Sequence, residues 1–347
     1  MIDNQGFLDL PHRLYPWPVV SRESEEALLK GAHPLSDQFT LTPFVVHRGG
    51  QAAGRCAITT YPDSDVAYLG FFEAEDDTIA HELLSWAETT ARGLSRERMI
   101  GPVDGSFWLR YRMKVDHFDV PYAFEPYNQP GYHSWWTAFG YSTVHRYSSS
   151  FYPQITDKDL DAGADQLVAV MTQQGYRVES LRLADWDQLL PQIYSLVMEL
   201  YSTFPVFNTI TFEAFAQLFG PLRTICDPHL ITVAWQEDTL VGFSIVLPDY
   251  GPLTQAKISP VMLARLMWRK HNYSSIVALY MGSAVRGIGP VMATRLLQQC
   301  QQKKLSCVGA LIAEHTSTAQ YAPHLITHRN HYELLGKDLS TNPSSHE

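Results

Sequence analysis

The chain has 347 residues, with 26 Lys and Arg against 36 Asp and Glu and a net charge of −10 with His neutral. That length exceeds one ordinary domain and suits two, and a composition that is 45% hydrophobic, 18% charged and 12% aromatic excludes a disordered or fibrous chain. The acidic balance lacks the positive footprint of a nucleic-acid binder or of a binder of anionic membranes, and better suits a cationic partner such as an amine.

In chain order, the N-terminal stretch from Met1 to Pro16 has no basic region and no long apolar run, so no signal peptide is expected. No segment approaches the ~18 uninterrupted apolar residues of a membrane span. Phe44-Val45-Val46-His47 leads through Arg48-Gly49-Gly50-Gln51 into Gly54-Arg55-Cys56-Ala57-Ile58, two β-rich runs around a Gly-Gly turn. A short apolar strand follows at 66–72. The next helix carries apolar residues at Ile79, Ala80, Leu83, Leu84 and Ala87, one stripe of an amphipathic helix. A strand is expected near 98–103, a short helix at 132–139 closed by Gly140, and extended chain at 141–147. Residues 157–174 read as a linker ending in a helix.

The second half repeats this order. A strand at 176–181 and a long helix at about 185–201 precede a hairpin, 230–235 and 240–245, with Gly242 placed like Gly54. An inserted helix is expected at 261–268. Then come a strand at 276–281, a helix with the stripe Met292, Ala293, Leu296, Leu297 and Cys300, and a strand at 306–314. A plan used twice implies two α/β (α+β) domains with largely antiparallel sheets. The cysteines, Cys56, Cys226, Cys300 and Cys307, form no CxxC pair and no His cluster completes a zinc pattern, so no metal is expected and Cys300 and Cys307 are read as small hydrophobes. A reduced, cytoplasmic protein is expected.

The one segment that reads as a ligand site is Met281-Gly282-Ser283-Ala284-Val285-Arg286-Gly287-Ile288-Gly289-Pro290-Val291, between that strand and helix. Glycines opening a helix let the backbone turn tightly and aim free N–H groups outward, and the helix start adds partial positive charge, a seat for a pyrophosphate. No Gly-Lys-Ser/Thr follows, so it is not a Walker loop, and the setting is not that of a dinucleotide fingerprint. An ordinary strand-to-helix turn is the other reading of the same residues. The first half has no such loop: acids at Glu73, Glu75, Asp76 and Asp77 lead into its helix and would repel a pyrophosphate.

Strand, Arg286-Gly287-Ile288-Gly289 and amphipathic helix together resemble the acyl-CoA motif of the GCN5-related N-acetyltransferases (GNAT), whose loop reads Arg/Gln-x-x-Gly-x-Gly/Ala. Residues 1–152 resemble the N-terminal, degenerate unit of tandem bacterial members, through Gly54-Arg55-Cys56-Ala57, Gly70-Phe71-Phe72-Glu73, Gly101-Pro102-Val103-Asp104-Gly105, Trp108-Leu109-Arg110-Tyr111-Arg112 and Glu125-Pro126-Tyr127-Asn128-Gln129-Pro130. Residues 153–175 are then a linker and helix, 176–337 the acyl-CoA-binding domain and 338–347 a frayed tail. The resemblance implies that Gly287, Ile288, Gly289 and Val291 hold the pyrophosphate of coenzyme A by their N–H groups, with Arg286 at the family's Arg/Gln position. It implies that Tyr280, Met281 and Gly282 pair with the pantetheine arm like an extra strand. Two positions depart from the motif: Pro290 removes a donor, and Val291 stands where Gly or Ala is usual.

Attack of an amine on a thioester needs a base and a proton donor for the leaving thiolate. The family's Tyr position falls on Pro323, so the candidate donor is Tyr321, with Glu314 and His315 as candidate bases. Trp108, Tyr111, Arg112, Tyr127 and Asn128 are candidates to enclose a small polar acceptor, and an aromatic core explains the same stretch equally well. The function implied is an acyl-CoA-dependent N-acyltransferase, with acetyl-CoA as co-substrate and a small-molecule amine as acceptor, working as a monomer or homodimer. The alternative is a catalytically degenerate tandem unit that binds a ligand or partner, to which Pro290, Val291 and the displaced Tyr point.

Overall fold

The computed structural model describes residues 3–159, 162–314, 316, 318 and 321–340, without the side chains of 162–165. The chain divides into two units: one holds the residues up to Arg146, Pro252–Ile258 and the residues from His331 on, and the other holds Tyr147–Gly251 and Ser259–Asn330.

The first unit opens with α1 (Asn4–Leu14), where the Asp3 side chain accepts from the Gly6 N–H and Phe7, Leu8 and Leu10 are buried. Then comes α2 (Arg22–Leu29), capped by Ser21. The hairpin β1 (Thr40–Arg48) and β2 (Gln51–Thr60) turns at Gly49 and Gly50, with φ of 60° and 81°, the left-handed pair that a tight hairpin needs. Next are β3 (Val66–Ala74), α3 (Asp77–Gly93) and β4 (Arg98–Gly101). The expected stripe of α3, Ile79 to Ala87, is buried and packs with Cys56, Ile58, Leu69 and Phe72 of the strands. Short strands β5 (Val103–Asp104), β6 (Arg110–Tyr111) and β7 (Met113–Lys114) precede α4 (Tyr132–Ala138) and β8 (Ser142–Tyr152). Gly70 is required by close approach: a side chain there would strike the Val103 carbonyl of β5. The sheet runs β1-β2-β3-β4 and continues into the chain's last strand, β14 (His328–Asp338), whose residues 335–338 pair with β4. Among the described residues of β1–β4 and the β4–β14 pair, β3 and β4 are parallel and the other pairs antiparallel.

The second unit contains α5 (Ala162–Gln173), β9 (Tyr176–Ser180), α6 (Trp186–Leu200), α7 (Phe212–Phe219), α8 (Leu222–Ile225), β10 (Thr232–Gln236), β11 (Thr239–Pro248), α9 (Pro260–His271), β12 (Ser275–Ser283), α10 (Ile288–Lys303) and β13 (Ser306–Ala313). Its sheet runs β9-β10-β11-β12-β13, antiparallel except for β12 and β13. One apolar cluster joins Met171 of α5 to Ala234, Val241, Ile288 and Met292. A second gathers Val246, Ile276, Leu296, Cys300 and Cys307, so Cys300 and Cys307 do pack as small hydrophobes, and all four cysteines are free thiols.

The two halves of the sequence trade their closing strands. Residues 147–152 of β8 pair with β13 and belong to the second unit, while residues 331–338 of β14 belong to the first. Sequence boundaries at 152 and 337 follow strand ends; the units divide inside β8 and β14 instead. The tail residues 341–347 lie outside the described residues. Among the described residues no helix is long and apolar enough to cross a membrane.

Candidate functional site

In the second unit the geometry that matters is the splitting of two parallel strands. β12 and β13 pair from Ser275↔Ser306 to Ala278↔Gly309, and their ladder stops there. On its other edge β12 stays paired with β11 as far as Ser283, with Leu279 as an extra residue between the Ile245↔Tyr280 and Val246↔Ala278 pairs. Residues Tyr280, Met281 and Gly282 therefore run along an edge that has lost its β13 partner, where an extended ligand can add as a strand. β13 turns away: Leu311 has φ of 57° and its N–H bonds to Ser149 Oγ at 2.9 Å. The Met281 carbonyl already accepts from the Tyr201 hydroxyl at 3.4 Å.

Beyond β12 the chain turns through Ser283–Gly287. Ser283 Oγ accepts from the Val285 N–H at 3.1 Å and the Ala284 N–H bonds to the Val241 carbonyl at 2.9 Å. Gly287, in the left-handed region with φ of 96°, is the N-cap of α10; a side chain would be strained at that angle. Not every expected donor is available. The Ile288 N–H bonds to the Val285 carbonyl and the Val291 N–H to the Gly287 carbonyl, both at 3.3 Å, and Pro290 has none. Among the described residues the N–H groups of Arg286, Gly287 and Gly289 have no partner, and all three lie at the start of α10.

Tyr321 comes to the same place. A Cβ built on Gly289 would lie 2.5 Å from the Tyr321 hydroxyl, so this phenol sits over the first turn of α10. Its backbone is held by the Tyr152 hydroxyl, which donates to the Tyr321 carbonyl at 2.9 Å. The segment after β13 forms a short 3₁₀ helix at Pro323–Leu325. Glu314 is exposed at the end of β13, and Thr316 Oγ1 bonds to the Ala313 carbonyl at 2.8 Å. His315 lies outside the described residues. Among the described residues no group of three or more His, Cys, Asp or Glu is gathered to hold a metal.

The first unit presents a different kind of site. The acids before α3 separate: Asp76 caps the helix, accepting from the Ile79 N–H at 3.0 Å, whereas Glu73 turns inward from β3 and is 1% exposed. Glu73 Oε2 accepts from Tyr15 at 2.6 Å and Tyr132 at 2.8 Å. Burial pushes its carboxyl pKa up, against the pull of Arg55 and Arg110. Asp104 holds Arg110 Nε at 2.6 Å, and Arg110 Nη1 donates to the Tyr127 carbonyl at 3.2 Å. Around Glu73 and Arg110 lies a cavity of about 20 Å³ whose walls include Tyr111, Arg112, Tyr127 and Asn128, four of the five residues proposed from sequence to enclose an acceptor. Trp108 does not line it and packs on Phe107, ring centroids 5.1 Å apart. Asn128 ties down the backbone of Lys114, accepting from its N–H at 2.7 Å. The Arg112 guanidinium lies 3.8 Å above the Tyr111 ring. Sequence reasoning missed Glu73 and Arg110 here, although both stand in quoted phrases; β3 is buried along nearly its whole length, and the acidic neighbours of Glu73 hid that it belongs to that buried strand.

Each unit is thus a mostly antiparallel sheet flanked by helices, and the second adds a strand that splits from its neighbour before a glycine turn and a helix. This is the fold of the GCN5-related N-acetyltransferases, used in tandem. A tandem GNAT protein from the clavulanic acid biosynthesis pathway aligns over 98% of this chain and 95% of its own, with a TM-score of 0.54 and 13% identity. A GCN5-related glucosamine N-acetyltransferase region of a fungal multi-domain β-N-acetylglucosaminidase aligns over 96% of this chain and 36% of its own, with a TM-score of 0.53 and 12% identity. No protein-family model and no curated protein sequence matches the chain.

Proposed function

We propose that the chain is an acyl-CoA-dependent N-acyltransferase that uses acetyl-CoA and acts on a small-molecule amine by direct attack on the thioester. The observation that carries this reading is the split between β12 and β13 beyond Ala278, leading to α10 through a left-handed Gly287. The stretch Tyr280, Met281 and Gly282, beyond the end of the ladder between β12 and β13, suits the pantetheine arm, and the N–H groups of Arg286, Gly287 and Gly289 suit the pyrophosphate. Bound there, coenzyme A supplies an activated acyl group. The chain's part is to hold the thioester beside the amine and to move two protons, one from the amine and one to the leaving sulfur. Tyr321, over the helix start, is the candidate donor; Glu314 and His315 are the candidate bases.

Thermal unfolding with and without acetyl-CoA tests the binding. A ligand at about 100 times its Kd adds about 2.7 kcal/mol, so the midpoint should rise, and Gly289→Gln should abolish the rise by filling the helix start. A screen of amines by free-thiol release tests the chemistry. If Tyr321 donates a proton, Tyr321→Phe should lower kcat by more than about tenfold with little change in coenzyme affinity; a hydroxyl that only contacts the pyrophosphate shifts affinity instead. The donors lost at Val291 and Pro290 favour a second reading, a degenerate unit that binds without turnover. Coenzyme binding with no thiol release across the amine screen is its signature.

A further inference from the structure

The first unit's cavity contains two oppositely charged atoms, Glu73 Oε1 and Arg110 Nη2, that pair at 4.0 Å without a hydrogen bond between them. Glu73 Oε2 takes both tyrosine hydroxyls, and among the described residues Glu73 Oε1 has no hydrogen-bond partner, although the residue is 1% exposed. Arg110 uses Nε on Asp104 and Nη1 on Tyr127, while its Nη2 stands 4.0 Å from Glu73 Oε1, too far for a hydrogen bond. An acceptor and a donor facing one small cavity at that separation call for one group that serves both. An oxygen about 2.8 Å from each completes a triangle with an angle near 90° at that oxygen, which an sp³ hydroxyl spans.

The charges narrow the choice. An ammonium would meet Arg110 and a carboxylate would meet Glu73, so each charged head gains one contact and faces one repulsion. A neutral hydroxyl donates to Glu73 and accepts from Arg110 without either penalty. Burial pushes the Glu73 carboxyl pKa up, so a donor arriving at Oε1 also stabilises the charged form. The walls are the rings of Phe72, Tyr111, Tyr127 and Tyr132, flat surfaces for the C–H faces of a hydroxylated carbon skeleton. Among the lining residues Arg112 is held at φ of 87°, a strained backbone state for a residue with a side chain, of the kind that clusters at ligand sites. The enclosed space is about 20 Å³, room for one hydroxyl group, so the rest of such a ligand lies outside it, against the surrounding walls.

We infer that this cavity of the first unit is a binding site for a small neutral polyol or sugar, which seats one hydroxyl between Glu73 and Arg110. The site stands apart from the coenzyme reading of the second unit and holds whether or not that unit transfers acyl groups.

Saturation-transfer NMR titrations of the full chain with glycerol, myo-inositol and methyl glucoside, each against methylammonium and acetate, test it. At least one hydroxylated probe should bind saturably in the millimolar range, with neither ion doing so. Glu73→Gln should weaken that binding at least tenfold. Arg112→Gly, which suits the positive φ and keeps the fold, should weaken it at least threefold by freeing the Tyr111 wall. No saturable binding by the wild type means that the cavity holds a structural water only, and the inference fails. It fails equally if folded Glu73→Gln binds like the wild type or, should that variant not fold, if Arg112→Gly does. Saturable binding of an ion with none of the neutral probes also overturns it.

Discussion

Arg55 is fully buried in β2, where Nη1 and Nη2 reach Glu25 of α2 at 2.6 and 2.9 Å and Nη1 also reaches the Phe7 carbonyl of α1 at 2.8 Å. One side chain thus ties both N-terminal helices to the sheet. Two charges out of water gain little over an apolar pair, but breaking such a pair strands the survivor. Glu25→Ala should therefore destabilise the protein by about 3–5 kcal/mol, read as a lower midpoint in urea with the slope unchanged. Arg55 was quoted from the sequence as part of a family phrase; its partner was not, because nothing in Arg22–Leu29 distinguishes Glu25 from its acidic neighbours until the helix is folded against β2.

At the scale of elements, the start of α3 is decided by Asp76. Its carboxylate accepts from the Ile79 N–H and from Arg48 of β1, whose Nη2 lies 3.1 Å away. The Arg48 bond and that N–H hold its pKa down at about 2. A depressed carboxylate contributes stability above its unfolded pKa of about 3.9 and loses it as pH falls toward the folded value. Asp76→Ala should cost about 1 kcal/mol at pH 7, most of it from the cap because the Arg48 pair is exposed to solvent. The gap between variant and wild type should close between about pH 4 and pH 2, measured by urea unfolding at each pH. α3 and α10 were both legible from their apolar stripes, and their contrasting starts, acids against glycines, were legible as well. What was not legible was that Glu73 leaves the acidic group, which depends on its burial in β3 against Tyr15 and Tyr132, and that the Val291 N–H is spent inside α10, which depends on where that helix begins to within one residue.

At the scale of the molecule, the traded strands set what each half can do alone. The second unit's β13 pairs with residues 147–152, which lie outside any fragment that starts at residue 176. Such a fragment exposes the β13 edge and should be insoluble, since an unpaired strand edge templates aggregation. A fragment of residues 147–330 restores the partner and should be the more soluble. Soluble yield and circular dichroism of the two fragments check this, and equal behaviour would mean that β8 adds nothing to the second sheet. The same exchange requires contacts between residues far apart in sequence, so folding should be slow for its size.

The local plan was legible in the sequence. Hairpins at Gly49-Gly50 and at 237–238, the helical stripes of α3 and α10, the cap at Gly140 and the glycine turn before α10 all follow from periodicity and backbone sterics, which neighbours in the chain control. α1 and α2 escaped because polar residues and Pro11 dilute their stripes, and the sheet they cover supplies the missing stability. Only folding settles which sheet β8 and β14 complete, where β12 and β13 part, and how Glu73 and Arg110 come to face one cavity 4.0 Å apart. Those outcomes rest on pairings between distant strands and on the burial that follows, and no window of sequence contains both partners.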